Sequence, residues 1–228
     1  MSEARITETW AKLVAEQSTC EECRLRKKLG LVDVGGSELV DHRAKPLFGR
    51  FDPWKNGLLF VFEAPNLEDT IDPAKGYLTY DQETDPTGRF ARVLMTEELG
   101  LAPQYFQVTN SVLCLPRSRE GKFPVSAKQA QRCAARLREQ IEVLAPAVVV
   151  SVGAKALDSL KHIEKHGLGK ISEVVATPRA WFGRWLFPVY HTGQLARNAH
   201  NGRPESLQRE DWRKLRLFMD SKGVRVPG

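Results

Sequence analysis

The stretch Leu58 to Glu68, LLFVFEAPNLE, most constrains what this chain can fold into. Five apolar residues in a row run into an acidic turn, Glu63-Ala64-Pro65-Asn66. An uninterrupted run of that length, closed by Pro and Asn, reads as a strand buried on both faces. Pro65 has no N–H for a ladder and biases Ala64 towards extended backbone, so the strand stops there. Burial on both faces calls for helices above and below the sheet. In open α/β sheets, ligands bind just beyond the carboxyl ends of such strands, which is where Glu63 and Asp69 lie. Taken alone, the stretch more readily describes an ordinary strand-end loop with solvated acids.

The rest of the chain repeats the pattern. Tyr105 to Cys114 (YFQVTNSVLC), Ala147 to Gly153 (AVVVSVG) and Trp185 to Tyr190 (WLFPVY) read as three further strands. Ile6, Trp10, Leu13 and Val14 lie at helical spacing and open the chain with a short amphipathic helix. Arg89 to Leu99 reads as a helix ended by Gly100. Ser126 caps a helix to about Leu144, whose apolar face is Ala130, Cys133, Ala134, Leu137 and Ile141. Gly153 turns its strand into a helix with Leu157 and Leu160. Ser206 begins a terminal helix with Leu207, Trp212, Leu215 and Phe218 facing inward. Leu31 to Gly57 and Asn66 to Gly88 show no sustained period and read as long connections, the first with room for one short strand. Strands alternating with helices predict right-handed crossovers: an α/β/α sandwich around a central, mainly parallel four-stranded sheet. No linker signal falls between Leu58 and Phe218. The expectation is a single domain over 1–228, with the N-terminal segment 1–57 packed on an α/β core at 58–228.

Charge and cysteines narrow the function. Lys and Arg number 34 against 28 Asp and Glu, and the net charge of +6 suits an anionic partner such as nucleic acid. No apolar run is long enough to cross a bilayer, and the N-terminus MSEARITETW lacks a signal pattern. The expectation is a cytoplasmic protein with no membrane partner. Four cysteines do not make a disulfide scaffold in a chain this long. Cys20-x2-Cys23 can grip one metal centre, but spacing leaves structural zinc and an iron–sulfur cluster both open. Cys133 by itself reads as a small core residue. His162 and His166 lack a neighbouring acid motif and read as a solvated helix face. The basic residues at 24–28 and at Arg117, Arg119 and Lys122 read as solvated faces unless a nucleic-acid site lies beside them. Four strand ends could bring polar groups together: Glu63 with Asp69, Asn110, Gly153 and His191. An amide offers the donor and acceptor that a pyrimidine edge requires. A histidine can stabilise charge on a leaving group or shuttle a proton.

In this order, these residues resemble the uracil-DNA glycosylase superfamily, most closely its iron–sulfur-containing family 4 branch. The resemblance runs from about Cys20 to Arg197. It rests on Cys20-x2-Cys23, Phe62-Glu63-Ala64-Pro65-Asn66 followed by Glu68-Asp69, Thr109-Asn110-Ser-Val-Leu-Cys114 and Cys133. It continues through Pro146-Ala-Val-Val-Val-Ser-Val-Gly153 and His191-Thr192-Gly193-Gln194-Leu195. The resemblance implies a monomeric enzyme acting on DNA that contains uracil or another deaminated base. It implies a [4Fe–4S] cluster on Cys20, Cys23, Cys114 and Cys133 that holds DNA-facing loops. Glu63 would belong to the catalytic set with Asp69 and His191. The turn from Glu63 through Ala64, Pro65 and Asn66 would line the base pocket, Asn110 would read the uracil edge, and Tyr80, in preference to Tyr77, would stack on the base. Asp69 would support water attack or the cationic transition state, and His191 would stabilise the departing uracil anion. Leu195 would enter the duplex, with Gln194, Arg197, Arg117 and Arg119 on the DNA.

Several positions depart from the family pattern. Phe62 replaces the first glycine of GEAPG and Asn66 the last, which bears on the range of bases accepted. Thr192-Gly193 replaces Pro-Ser, which is expected to loosen the intercalating loop. No lysine matches a pocket position, so base removal without strand cleavage is expected. Two other readings remain open on these residues. One is a family member that binds damaged DNA without excision; the other is a nucleotide-binding α/β protein with a structural zinc.

Overall fold

The structure is a computed structural model and describes residues 3–18, 47–48, 57–65, 85–113, 125–198 and 202–225. In chain order the elements begin with α1 (Glu3–Ser18), β1 (Leu47–Phe48) and β2 (Leu58–Phe62). Helix α2 (Pro86–Val93) runs into a π turn (Leu94–Glu98) and is followed by β3 (Gln107–Asn110). Then come α3 (Ala127–Leu144), β4 (Val148–Val152), α4 (Ala154–Leu160), α5 (Ile171–Val174) and β5 (Arg179–Trp181). Strand β6 (Arg184–Val189), α6 (Gln194–Asn198) and α7 (Glu205–Ser221) complete it.

The sheet order is β1-β3-β2-β4-β6-β5. The four expected strands are its middle, and all of them pair in parallel. Two edge strands of 2 and 3 residues add antiparallel pairs and bring the described sheet to six strands. Strands that short carry no readable alternation. The period of two in β2 and β4 sorts side chains between two cores. Leu58, Phe60, Phe62, Val148, Val150 and Val152 face α2 and α7, whereas Leu59, Val61 and Val149 face α3 and α4.

The Ser126 cap holds as expected. Ser126 Oγ accepts the Gln129 N–H at 3.2 Å, and the Gln129 side chain accepts the Ser126 N–H at 2.9 Å, a reciprocal capping box. The α3 face buries Ala130, Cys133, Ala134, Leu137 and Ile141, and α1 packs against this helix. The helix expected from Arg89 instead starts at Pro86, because Asp85 caps it by accepting from the Thr87 and Gly88 N–H groups at 3.0 Å each. Its last turn widens to π geometry, with the Leu99 N–H reaching the Leu94 carbonyl at 3.3 Å. Arginines from α7 clamp that turn. Arg209 and Arg213 hold Glu98 at 2.6 and 2.7 Å, and Arg216 donates to the Leu99 carbonyl.

The inward face of α7 differs from its expected stripe. Trp212 and Leu215 are buried, but Leu207 is 40% exposed and Phe218 only half-buried. Trp212 stacks on Phe60 at 5.4 Å, and that contact fixes the helix rotation. Gln208 and Asp211 are thereby turned inward, where they hold the chain around residue 203. His166 likewise departs from the solvated face expected of it. His162 is exposed, but His166 is buried, accepting the Leu168 N–H on Nδ1 at 3.0 Å and meeting the Leu157 carbonyl from Nε2 at 3.1 Å. Burial pushes its imidazole below the ordinary histidine value, against the opposing Leu157 carbonyl and Asp158.

A histidine kept neutral by the fold binds more protons when unfolded, so stability is complete above its unfolded value and falls with pH below it. Thermal unfolding is expected to show a Tm that declines below about pH 6.5, with a shallower decline in His166→Gln. An equal slope in the variant would place the acid sensitivity elsewhere.

Candidate active site

The parallel strands deliver their carboxyl ends to one edge of the sheet. Phe62 lies opposite Asn110, and Val152 opposite Val189, so Glu63, Asn110, Gly153 and His191 all stand at that edge. The turn after β2 is pinned through the Glu63 carbonyl, which accepts from Ser111 Oγ at 2.7 Å and from the Val112 N–H at 3.0 Å. Ala64 packs against the cluster of Val112, Val125, Ala130 and Cys133, and Pro65 is buried. The Glu63 carboxyl is pushed upwards from its ordinary value by burial, while the Val125 N–H and the Lys155 ammonium act in the opposite sense.

Asn110 is 2% exposed, and its side-chain oxygen finds no partner among the described residues. A buried carbonyl oxygen left unpaired costs free energy, and in a folded protein it calls for an explanation. The adjacent Thr109 contrasts with it: its hydroxyl donates to Gln140 at 2.6 Å.

His191 is held between two glycines. A Cβ on Gly153, whose φ is 96°, would come within 3.0 Å of the His191 Cβ. A Cβ on Gly193 would come within 2.8 Å of Nδ1. The Gly193 N–H donates to Nδ1 at 3.0 Å, so Nδ1 is the unprotonated nitrogen and Nε2 carries the proton of the neutral ring. Burial pushes this imidazole below its ordinary value, with the Asp85 carboxylate pulling the other way. A neutral ring whose proton is on Nε2 is a hydrogen-bond donor suited to an incoming anion.

A family model of the uracil DNA glycosylase superfamily matches residues 48–216. The chain belongs to this superfamily. A type-4 uracil-DNA glycosylase of Thermotoga maritima is 31% identical over 153 residues, covering 62% of this chain and 74% of the relative. Within the glycosylase fold, the substituted motif positions have visible structural roles. Phe62, in place of glycine, is buried in the core that α2 closes. Thr192-Gly193 does not loosen its loop: Thr192 is fully buried and its hydroxyl donates to the Thr87 carbonyl at 3.0 Å.

Leu195 projects from α6 at 82% exposure, and Gln194 is exposed beside it. Arg197 turns inward instead. Its guanidinium lies 4.4 Å from the Phe90 ring centroid and 3.5 Å from Glu205. Asp69, Asn66, Tyr80, Arg117, Arg119, Cys20, Cys23 and Cys114 lie outside the described residues. Of the cysteine set, Cys133 is described; it is buried against Val112 and Val125, which bracket the segment that carries Cys114. Cys20 follows shortly after α1, the helix that packs on the one bearing Cys133. The buried Cys133 thiol is the right donor chemistry for an iron–sulfur ligand.

Sequence reasoning passed over Asp85, Ser111 and Lys155, and it read Thr192 only as a substitution that loosens its loop. The Asp85-Pro-Thr-Gly sequence carried a readable helix-start signal; the contacts of the other three depend on tertiary packing. Asn110→Ala is expected to cost no more than about 1 kcal/mol in unfolding free energy, because it removes an acceptor with no partner among the described residues. Thr109→Val, which removes a satisfied buried bond, is expected to cost about 1–3 kcal/mol. Chemical denaturation of both variants checks the contrast.

Proposed function

We propose that this protein is a DNA repair glycosylase that hydrolytically removes uracil, or a related deaminated base, flipped out of DNA. What supports this most is one sheet edge carrying an Asn110 oxygen that has no partner among the described residues, together with a His191 whose proton sits on Nε2. Uracil presents an N3–H donor beside a carbonyl, which an asparagine amide matches with its acceptor and donor. Cytosine presents the reverse pattern at those atoms, and a site with buried polar groups discriminates strongly against such a mismatch.

Breaking the N-glycosidic bond places positive charge on the sugar and negative charge on the departing base. In this reading the His191 Nε2–H donates to the uracil oxygen on which that negative charge gathers. Being neutral, the ring needs no proton transfer to do so. Asp69 supplies the carboxylate beside the sugar or the water, and Glu63 backs the turn that shapes the pocket. Tyr80 stacks on the base, Leu195 fills the space it vacates, and Gln194, Arg117 and Arg119 bind the strand. Arg197 acts instead by stapling α6 to Phe90.

Cys20, Cys23, Cys114 and Cys133 would hold a [4Fe–4S] cluster, which supplies structural cross-linking when bound. Ala64 packs on the cluster that includes Cys133, so such a centre would brace the core beneath the base-pocket turn. We read the chain as one domain acting as a monomer and leaving the abasic strand uncut. Among the described residues no helix is long and apolar enough to cross a membrane.

An oligonucleotide with one uracil, tested opposite G, opposite A and single-stranded, is expected to release the base. Asp69→Ala and His191→Ala should each lower kcat by about 10²–10³-fold. Because neutral His191 is the working form and burial lowers its pKa, activity should persist at about pH 6.5 and fall only at lower pH. Borohydride should trap no enzyme–DNA adduct. Intact DNA binding without release would instead support a damage-binding protein.

Protein purified without oxygen is expected to be brown and to contain iron and sulfide, both lost in Cys133→Ala. Colourless protein holding zinc would overturn the cluster assignment.

A further inference from the structure

Thr192 and Gly193 leave a strand end at the rim of the fold, yet both are buried. The Thr192 hydroxyl reaches the Thr87 carbonyl across 105 residues of sequence. That carbonyl belongs to the first turn of α2, where Asp85 already fixes the Thr87 N–H, so the anchor point is itself held. A Cβ on Gly193 would lie 2.8 Å from His191 Nδ1, 3.0 Å from its Cε1 and 3.2 Å from Thr87 Oγ1. The imidazole, the Thr192–Gly193 peptide and the start of α2 are therefore in mutual contact, with no room for another methyl group. From the other side, Gln208 on α7 reaches the His191 carbonyl at 3.4 Å.

The Gly193 N–H that sets the tautomer of His191 lies in the peptide plane between Thr192 and Gly193. Rotation of that plane would break the bond to Nδ1 and let the proton move to either nitrogen. Among the described residues, the side chain of Thr192 ties this plane to a neighbouring element, α2.

We propose that Thr192 is a positioning residue: its hydroxyl, anchored on the Thr87 carbonyl, holds the Gly193 N–H on His191 Nδ1 and so keeps the Nε2–H directed into the site. Its effect on rate rests on the glycosylase reading, whereas its effect on the tautomer belongs to the folded chain whatever the substrate. Valine matches threonine in shape but removes the donor; serine keeps the donor. Hydrogen-bond geometry this close to the reacting atoms is sensitive to small displacements.

The test compares wild type with Thr192→Val, Thr192→Ser and Gly193→Ala. It measures kcat for uracil release, affinity for DNA containing an abasic site, Tm, and the imidazole nitrogen shifts of His191, assigned by their loss in His191→Gln. In Thr192→Val, kcat should fall by about 10- to 100-fold while DNA affinity is unchanged. The nitrogen shifts should move from a pure Nε2–H form to mixed tautomers. Thr192→Ser should restore both, and Gly193→Ala, which displaces the ring, should reproduce the mixed signal. Three results would overturn the proposal: a valine variant with wild-type kcat and tautomer, one whose kcat falls only in step with Tm and DNA affinity, or a serine variant no better than valine. If wild type releases no uracil, the glycosylase reading fails on its own. The nitrogen shifts then decide the role of Thr192, and an Nε2–H form unchanged in Thr192→Val counts against it.

Discussion

The rest of the structure depends on the burial of β2 and β4 on both faces. All five residues of each strand are buried, and the side chains alternate between two cores closed by different helices. Strands sealed in this way have little place for reactive groups along their length, because an unpaired polar group there costs free energy. Chemistry is pushed to the strand ends, and parallel pairing puts those ends on one edge. The site is a consequence of the core rather than an addition to it. The Phe60–Trp212 stack has a part in this, since it sets the rotation of α7 and thereby delivers Gln208 towards the His191 carbonyl.

The same burial sets the electrostatics of the edge. Desolvation drives Glu63 and His191 towards their neutral forms, which moves their pKa values in opposite directions. For an imidazole that must donate a hydrogen bond without carrying charge, that direction is useful. For a carboxyl group it is not, and the Val125 N–H and Lys155 oppose it at Glu63. Asp85 opposes the shift at His191 while spending both its oxygens on the first turn of α2. One carboxylate thus caps a helix and biases the site that the helix borders.

Much of this was legible in the sequence, and the exceptions share a cause. The runs LLFVF and VVVSV declared buried parallel strands, and Ser126 declared the start of α3, because each signal is local. Edge strand β5 escaped because 3 residues carry no period, and for the same reason β1 was readable only as one short strand somewhere in Leu31 to Gly57. His166 was misread because its burial depends on what the chain does after α4, where Leu168 turns back onto the ring. The inner face of α7 was displaced because two polar residues, Gln208 and Asp211, found partners that only the tertiary structure supplies. At the candidate site, the residue types and their order were readable, but the tautomer of His191 was not. It rests on a backbone N–H and on a bond between positions 87 and 192.

The departures from the family pattern look independent when read along the chain, but they are physically connected. Phe62 adds a large side chain to the core that also holds Phe90, Ala91 and Leu94 of the α2 region. That helix presents the Thr87 carbonyl to Thr192, and the bond formed there brings Gly193 against the His191 ring at a distance no Cβ would allow. Arg197, over Phe90, ties the far end of the same loop to the same helix. Proline would stiffen such a loop through its own backbone; here the stiffness comes from α2 through two side-chain contacts. A change at Phe62 would therefore be felt at His191 through the seating of α2, although Phe62 lies in β2 and His191 follows β6, which β4 separates from β2 in the sheet. Local rules of sequence fail at these positions because the constraint they satisfy is shared among three elements, which is where exceptions to such rules are expected to gather.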